Sequence, residues 1–239
     1  MARVTLVRHA QAAFLEPNYD RLCETGVVQA RLLGEYWARR GVSFRRAWSG
    51  PCARQVQTAR IVEAACRTMG RDFPELDIMN EFDEYPGDVV LRQGLPELLE
   101  VSEEVRRAHK TFLDCKDSTE RRRMFQKLFE LVIGRWVSGD VTAAGIESWG
   151  GFCARVGCGL AKIANGATGG GNLLVFTSGG PIAVAMRRAL HLSHADTLQM
   201  SWMSRNASFS EFLSSGDRFT LSTFNATPHL DEESLLTYR

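Results

Sequence analysis

"VTLVRHAQAAF", residues 4–14, is apolar or β-branched from Val4 to Val7 and then stops on Arg8 and His9. Such a run, without polar alternation, predicts a strand covered on both faces, as in the middle of a parallel sheet. Two charge-capable side chains are a costly way to end a buried strand unless an anion is meant to sit beside them.

Two other stretches end the same way. "FRRAWSGP" offers a brief strand closing on Ser49-Gly50-Pro51, and "NLLVFTSGG" (172–180) is a strand that turns sharply at Ser178-Gly179-Gly180. "LDIMNEF" reads as a further short strand or strand end, and "RFTLSTFNATPHL" as a last strand before a loose polar tail. Helical spacing marks 27–39, then "ARQVQTARIVEAACRTMG", then about 95–110, 119–137 and 149–164, with "VSGDVTAAGIES" as the main interruption. Ile182, Ala183, Met186 and Leu190 place one more helix after the glycines. Strands alternating with helices predict an α/β three-layer sandwich, with a mixed, mostly parallel central sheet and helices on both faces. In such sheets the ligand lies beyond the carboxyl ends of the strands, where Arg8-His9, the loop to Arg54 and Ser178-Gly179 would converge.

Composition narrows the function. The 239 residues are 44% apolar and 24% charged, and 29 basic against 28 acidic side chains leave a net charge of +1. That balance argues against a nucleic-acid partner. No apolar stretch suffices to cross a bilayer, and the run after Met1 is too short for a signal peptide, so the expected location is cytoplasmic. Cys23, Cys52, Cys66, Cys115, Cys153 and Cys158 form no CxxC pair and no zinc-spaced cluster, and they read as reduced thiols. No carboxylate cluster has metal-ligand spacing either, so no metal or cofactor is expected.

Two guanidiniums, Arg8 and Arg54, match the oxygens of a dianionic phosphate. Positive neighbours disfavour the imidazolium of His9, and a neutral imidazole can attack phosphorus in line. The departing alkoxide then needs a proton from a nearby acid. A lone Arg-His could be a structural turn. Arg54, an acid and a glycine turn in fixed order along the chain tip the reading towards a site.

"LVRHAQA", "GPCARQVQTA", "MNEF", "GIESWGGFCARV" and "FTSGGPI", in this order, resemble the histidine phosphatase superfamily, whose fold is phosphoglycerate mutase-like. The resemblance covers most of the chain and is weakest through about 88–145. It implies one domain over 1–239 with a helical cap insertion at about 88–145 that would set the substrate. It also implies His9 as nucleophile, Glu81 of Met79-Asn80-Glu81 as acid, and Arg8, Arg54, Ser178 and Gly179 as phosphate ligands. Asp83 and Glu84 lie within three residues of Glu81, as in a solvated acidic loop, and Glu84 is the alternative for the acid's role. "ETGVVQA" resembles the family segment where a glycine and a glutamine recur. Ala10 stands where the family has glycine, and Ser178 where it has a second histidine, as in a branch with a TSGG segment. His229 is a candidate to reach the site if the tail folds back.

The leading expectation is a metal-independent phosphomonoester hydrolase with a phosphohistidine intermediate, acting on a phosphorylated small molecule and slowed by Ser178. Gln11-Ala12-Ala13 disfavour the alternative of a phosphoglycerate mutase-like phosphotransferase. The other alternative is a catalytically weakened phospho-ligand-binding protein. "ERRRMFQK" reads as a solvated helix face, His191 and His194 as surface or packing residues, and Cys52 as packing.

Overall fold

The computed structural model describes residues 1–13, 20–142, 145–165 and 170–238. Phe14 of the opening stretch and Ala143-Ala144 of the interruption before 149 lie outside them. The chain divides into two compact units, residues 1–84 with 155–239, and residues 85–154.

The first unit is built on a six-stranded sheet: β1 (Ala2–Arg8), β2 (Arg46–Ser49), β3 (Leu76–Ile78), β4 (Gly171–Thr177), β5 (Phe209–Ser215) and β6 (Arg218–Ala226), in the order β3-β2-β4-β1-β5-β6. β1 pairs in parallel with β4 and antiparallel with β5. β2 is parallel to both β3 and β4, and β6 is antiparallel to β5, so β5 alone runs against the others. With a strand on either side and side chains covered on both faces, β1 has no solvated face, and only Arg3 of the strand is exposed. The register puts Arg8 opposite Thr177 and Ser49 opposite Phe176, so the carboxyl ends of β1, β4 and β2 lie level.

Alternation along the strands separates the two faces. Val7, Ala47, Leu174, Phe176 and Phe209 form one core with α1 (Glu24–Arg39) and α2 (Ala53–Thr68). Those two helices approach closely at Gly34, where a Cβ would stand 2.6 Å from the Val62 carbonyl oxygen. On the other side α7 (Gly179–Leu190) packs on β1, β6 and α8 (His194–Met203). The expected mixed, mostly parallel α/β sandwich is the fold observed.

The second unit is helical and includes most of the stretch 88–145. It contains α3 (Gly87–Val101), α4 (Glu103–Asp114), α5 (Ser118–Ser138) and the first turns of α6 (Trp149–Asn165). The single helix expected over 95–110 is two, because the Ser102 side chain accepts a hydrogen bond from Val105 N and starts a new helix. Tyr85, Trp136, Trp149 and Phe152 form an aromatic cluster, and Leu98, Val105, Leu128, Val132 and Val141 a second core. Among the described residues no helix is long and apolar enough to cross a membrane.

Three further parts of the chain differ from the sequence reading. β5 and α8 were not anticipated. The segment after β6 is docked rather than loose: Asn206 N donates to Thr237 O, and Gln29 Nε2 donates to Leu235 O.

Candidate active site

His9 follows β1 directly, and its backbone N–H extends the ladder to Thr177 O at 2.8 Å. The side chain is buried, with 6% of the residue exposed. Arg54 Nε donates to His9 Nε2 at 3.3 Å, while His9 Nδ1 lies 2.8 Å from Ala10 O. A nitrogen facing a guanidinium must accept and one facing a carbonyl must donate, so the ring carries its proton on Nδ1 and a lone pair on Nε2.

The first turns of α2 hold this arrangement. Thr58 Oγ1 accepts from Ala10 N at 3.0 Å and donates to Arg54 O at 2.7 Å, tying the histidine loop to the helix that carries Arg54. Asp20 accepts from Ala53 N and Arg54 N at the start of α2, as suits a carboxylate at a helix N-terminus, and pairs with Arg54 Nη1 at 2.7 Å. The Arg54 guanidinium is thereby fixed with its Nε edge on His9. Arg8, also buried, donates through Nη1 to Ser204 O after α8.

Ser178 ends the β4 segment with 1% exposure, and its Oγ accepts from Gln55 Nε2 at 2.7 Å. Gln55 Nε2 also donates to Phe82 O at 3.3 Å, as does Thr177 Oγ1 at 2.8 Å, which draws the 80–84 turn onto the end of β4. Gly179 has to be glycine here, since a Cβ would stand 2.5 Å from Ser201 O.

The two candidate acids part company on this turn. Glu84 Oε2 accepts from Gly180 N at 3.1 Å, at the N-terminus of α7 beside Ser178. Glu81 instead pairs with Lys162 of α6, which holds its carboxyl below the usual carboxylate range. Arg155 Nη1 fixes that geometry by donating to the carbonyls of Asn80, Glu81 and Asp83. The structure thus brings His9 and Arg54 into contact and joins Ser178 to them through Gln55 of α2, while the Glu81 carboxylate is engaged on Lys162.

Other candidates fall elsewhere. His229 is buried between Tyr36 and Phe209, with burial pushing its pKa down to about 4. The Cys52 thiol donates to Asp83 Oδ1, and burial pushes its pKa up to about 12, which leaves it unfit as a nucleophile at neutral pH. His191 and His194 are exposed, as is the Arg121–Arg123 face, where Arg121 lies over the Phe112 ring and Arg123 pairs with Glu120. Sequence reading missed the parts played by Asp20, Gln55 and Gln29. Gln55 follows Arg54 within the quoted motif and Gln29 lies in "ETGVVQA", but nothing in the sequence singled out Asp20.

Comparisons with known proteins bear on the fold and the family. A structure of phosphoglycerate mutase from Bacillus anthracis superposes with a TM-score of 0.61 at 18% identity, covering 96% of this chain and 95% of that one. A putative alpha-ribazole-5'-P phosphatase from Escherichia coli gives 0.63 at 18% identity, covering 95% and 98%. A phosphoserine phosphatase from Entamoeba histolytica gives 0.63 at 15% identity, covering 96% and 100%. At these identities the likeness speaks for the fold. A search of curated proteins finds no match. The family model described as "Histidine phosphatase superfamily (branch 1)" matches residues 4–119 and 119–227, nearly the whole chain including Arg8-His9 and Arg54. With its fold, its strand-end arginine and histidine and this match in agreement, the chain belongs to the histidine phosphatase superfamily, branch 1.

Proposed function

We propose that this protein is a metal-independent phosphomonoester hydrolase that forms a phosphohistidine at His9 Nε2. The observation that carries the reading is the ring's fixation: Nδ1–H on Ala10 O at 2.8 Å, with Nε2 turned towards Arg54 at 3.3 Å. A neutral imidazole held this way has its lone pair on the nitrogen that faces a phosphate-binding guanidinium.

Nε2 attacks phosphorus in line, the P–N bond forms and the ester P–O bond breaks. Arg8 and Arg54 stabilise the equatorial oxygens, the role a metal cation would otherwise take. Ser178 and the backbone at Gly179 complete the phosphate contacts. Glu84, rather than the expected Glu81, is the general acid in this reading. Its carboxyl group lies at Gly180 N, beside Ser178. Glu84 protonates the leaving oxygen, then as carboxylate takes a proton from the water that attacks phospho-His9. Phosphate leaves and His9 is regenerated. The substrate class is a phosphorylated small molecule. Ser178 offers a neutral donor where the superfamily resemblance calls for histidine, and losing one charge-assisted donor slows turnover by about 10² to 10³.

A screen of phosphomonoesters with EDTA present, run beside His9→Ala, tests the proposal. Expected is slow turnover that EDTA leaves unchanged and His9→Ala abolishes, with substrate phosphate trapped on His9 as an acid-labile, base-stable adduct. Activity lost to EDTA and restored by magnesium or zinc refutes metal independence. No turnover of any ester, together with tight phosphate binding through Arg8 and Arg54, replaces hydrolysis with phospho-ligand binding.

A further inference from the structure

Gln29 is fully buried, and its side-chain oxygen and both N–H groups are hydrogen-bonded. Its Oε1 accepts from Gln11 N at 2.8 Å. Its Nε2 donates to Leu235 O at 2.9 Å and to Thr237 Oγ1 at 2.8 Å. One turn earlier in α1, Gly26 makes the approach possible, since a Cβ there would stand 2.1 Å from Gln11 O. Cys23 N donates to the same oxygen at 3.0 Å.

The peptide joining Ala10 to Gln11 is what links these contacts to His9. A trans peptide is planar, and its C=O and N–H point in opposite directions. The N–H that Gln29 holds belongs to Gln11, and the C=O of the same plane belongs to Ala10, which accepts the His9 Nδ1 proton. Rotating that plane would take the carbonyl away from Nδ1 and release the ring to its other tautomer, in which Nε2 carries the proton and has no lone pair for attack.

We infer that Gln29 is a positioning residue for the His9 nucleophile, acting through the Ala10–Gln11 peptide plane, and that residues 235–237 set the orientation of Gln29 itself. An amide can present either its oxygen or its nitrogen to a neighbour. Here a carbonyl and a hydroxyl on the far side take both N–H groups, so the oxygen must face Gln11. Thr237 then closes the circuit. Its Oγ1 donates to Asn206 Oδ1 at 3.1 Å, and Asn206 Nδ2 donates to His9 O at 3.3 Å. A chain of side chains thus runs from the amide after Ala10 to the carbonyl before it. The inference rests on His9 being the nucleophile, but its spectroscopic test does not.

The test uses the full chain with Gln29→Leu, Thr237→Val and Thr237→Ser. Imidazole 15N–1H correlation spectra, with His9 signals assigned by their loss in His9→Asn, should show the Nδ1–H tautomer in wild type. Gln29→Leu should show a mixture of tautomers. With p-nitrophenyl phosphate, kcat should fall about 10- to 100-fold in Gln29→Leu while KM stays within about twofold, the mark of a misplaced reacting group. Thr237→Val should fall between the two, and Thr237→Ser, which keeps the hydroxyl, should restore wild-type behaviour. A His9 tautomer unchanged in Gln29→Leu overturns the inference, whatever happens to stability. A tautomer shift in a protein that hydrolyses no ester leaves the inference standing and removes the proposed function instead.

Discussion

His229 should make this protein lose stability in mild acid. The ring is buried between Tyr36 and Phe209, and among the described residues neither nitrogen has a well-formed side-chain hydrogen bond. The Ala207 backbone lies near enough to favour the charged ring a little, but burial dominates and lowers the pKa from 6.5 to about 4. The folded state therefore binds this proton more weakly than the unfolded chain. Its contribution is complete above the unfolded pKa of 6.5 and is lost as pH falls through that value towards 4. A shift of two and a half units corresponds to about 3 kcal/mol at the limit, of which about 2 kcal/mol is lost by pH 5. Urea unfolding at pH 7.5 and pH 5 measures this, and with a typical m-value the midpoint should drop by about 1 M. Other groups titrate over the same range, so the comparison is with His229→Phe, which keeps a ring against Phe209 and removes the titration. The variant should lose about 2 kcal/mol less than wild type between the two pH values. Equal losses would refute the reasoning, because the proton would then be taken up elsewhere.

Three further outcomes follow from the geometry. Glu84→Gln should slow alkyl phosphates about 100-fold or more, and p-nitrophenyl phosphate far less, whereas Glu81→Gln should show no such leaving-group dependence. The reverse pattern returns the acid's role to Glu81. At pH 8, iodoacetamide should alkylate exposed Cys158 about 10³-fold faster than Cys52, whose thiol is held protonated with a pKa of about 12. Comparable rates in peptide mapping would contradict that burial. Gly34→Ala gains helix propensity but puts a Cβ 2.6 Å from Val62 O and 2.7 Å from Ala65 Cβ. Pushing α1 from α2 should cost about 1 to 3 kcal/mol, and an unchanged urea midpoint would show that the helices can part freely.

What the sequence reveals of this molecule depends on how local each signal is. β1 and β4 are legible because strands buried on both faces become unbroken apolar runs bounded by turn residues. β5 is hidden for a matching reason: it begins "FSEF", and its buried positions include Ser210 and Ser214, so serines stand where periodicity looks for hydrophobes. The break between α3 and α4 is hidden because Ser102 interrupts an otherwise continuous helical pattern. Arg8, His9 and Arg54 stand out because each sits at or just past a strand end in a recognisable local motif. Glu84 does not, because its partner Gly180 is 96 residues away. The segment after β6 reads as loose because it is polar, but its polar groups are what Gln29 and Asn206 need. Leaving the buried Gln29 amide without partners would cost about 1 to 3 kcal/mol, which offsets part of the entropy of ordering this segment.

Ser178 shows how a small polar side chain is held at the end of β4. Its hydroxyl lies 2.7 Å from Gln55 Nε2, and Gln55 is itself fixed, its Oε1 accepting from Cys52 N at 3.1 Å and its Nε2 also donating to Phe82 O. Gly50 has no Cβ to press on that amide, since one would stand 2.2 Å from Gln55 Oε1. A hydroxyl that accepts from an amide is polarised and keeps its own proton to donate, which makes it a better donor than an isolated serine. Ser178 and Gln55 therefore work as a coupled pair. On the proposed function, a phosphate would meet this small neutral donor at the end of β4, and Arg8 and Arg54 would supply the positive charge.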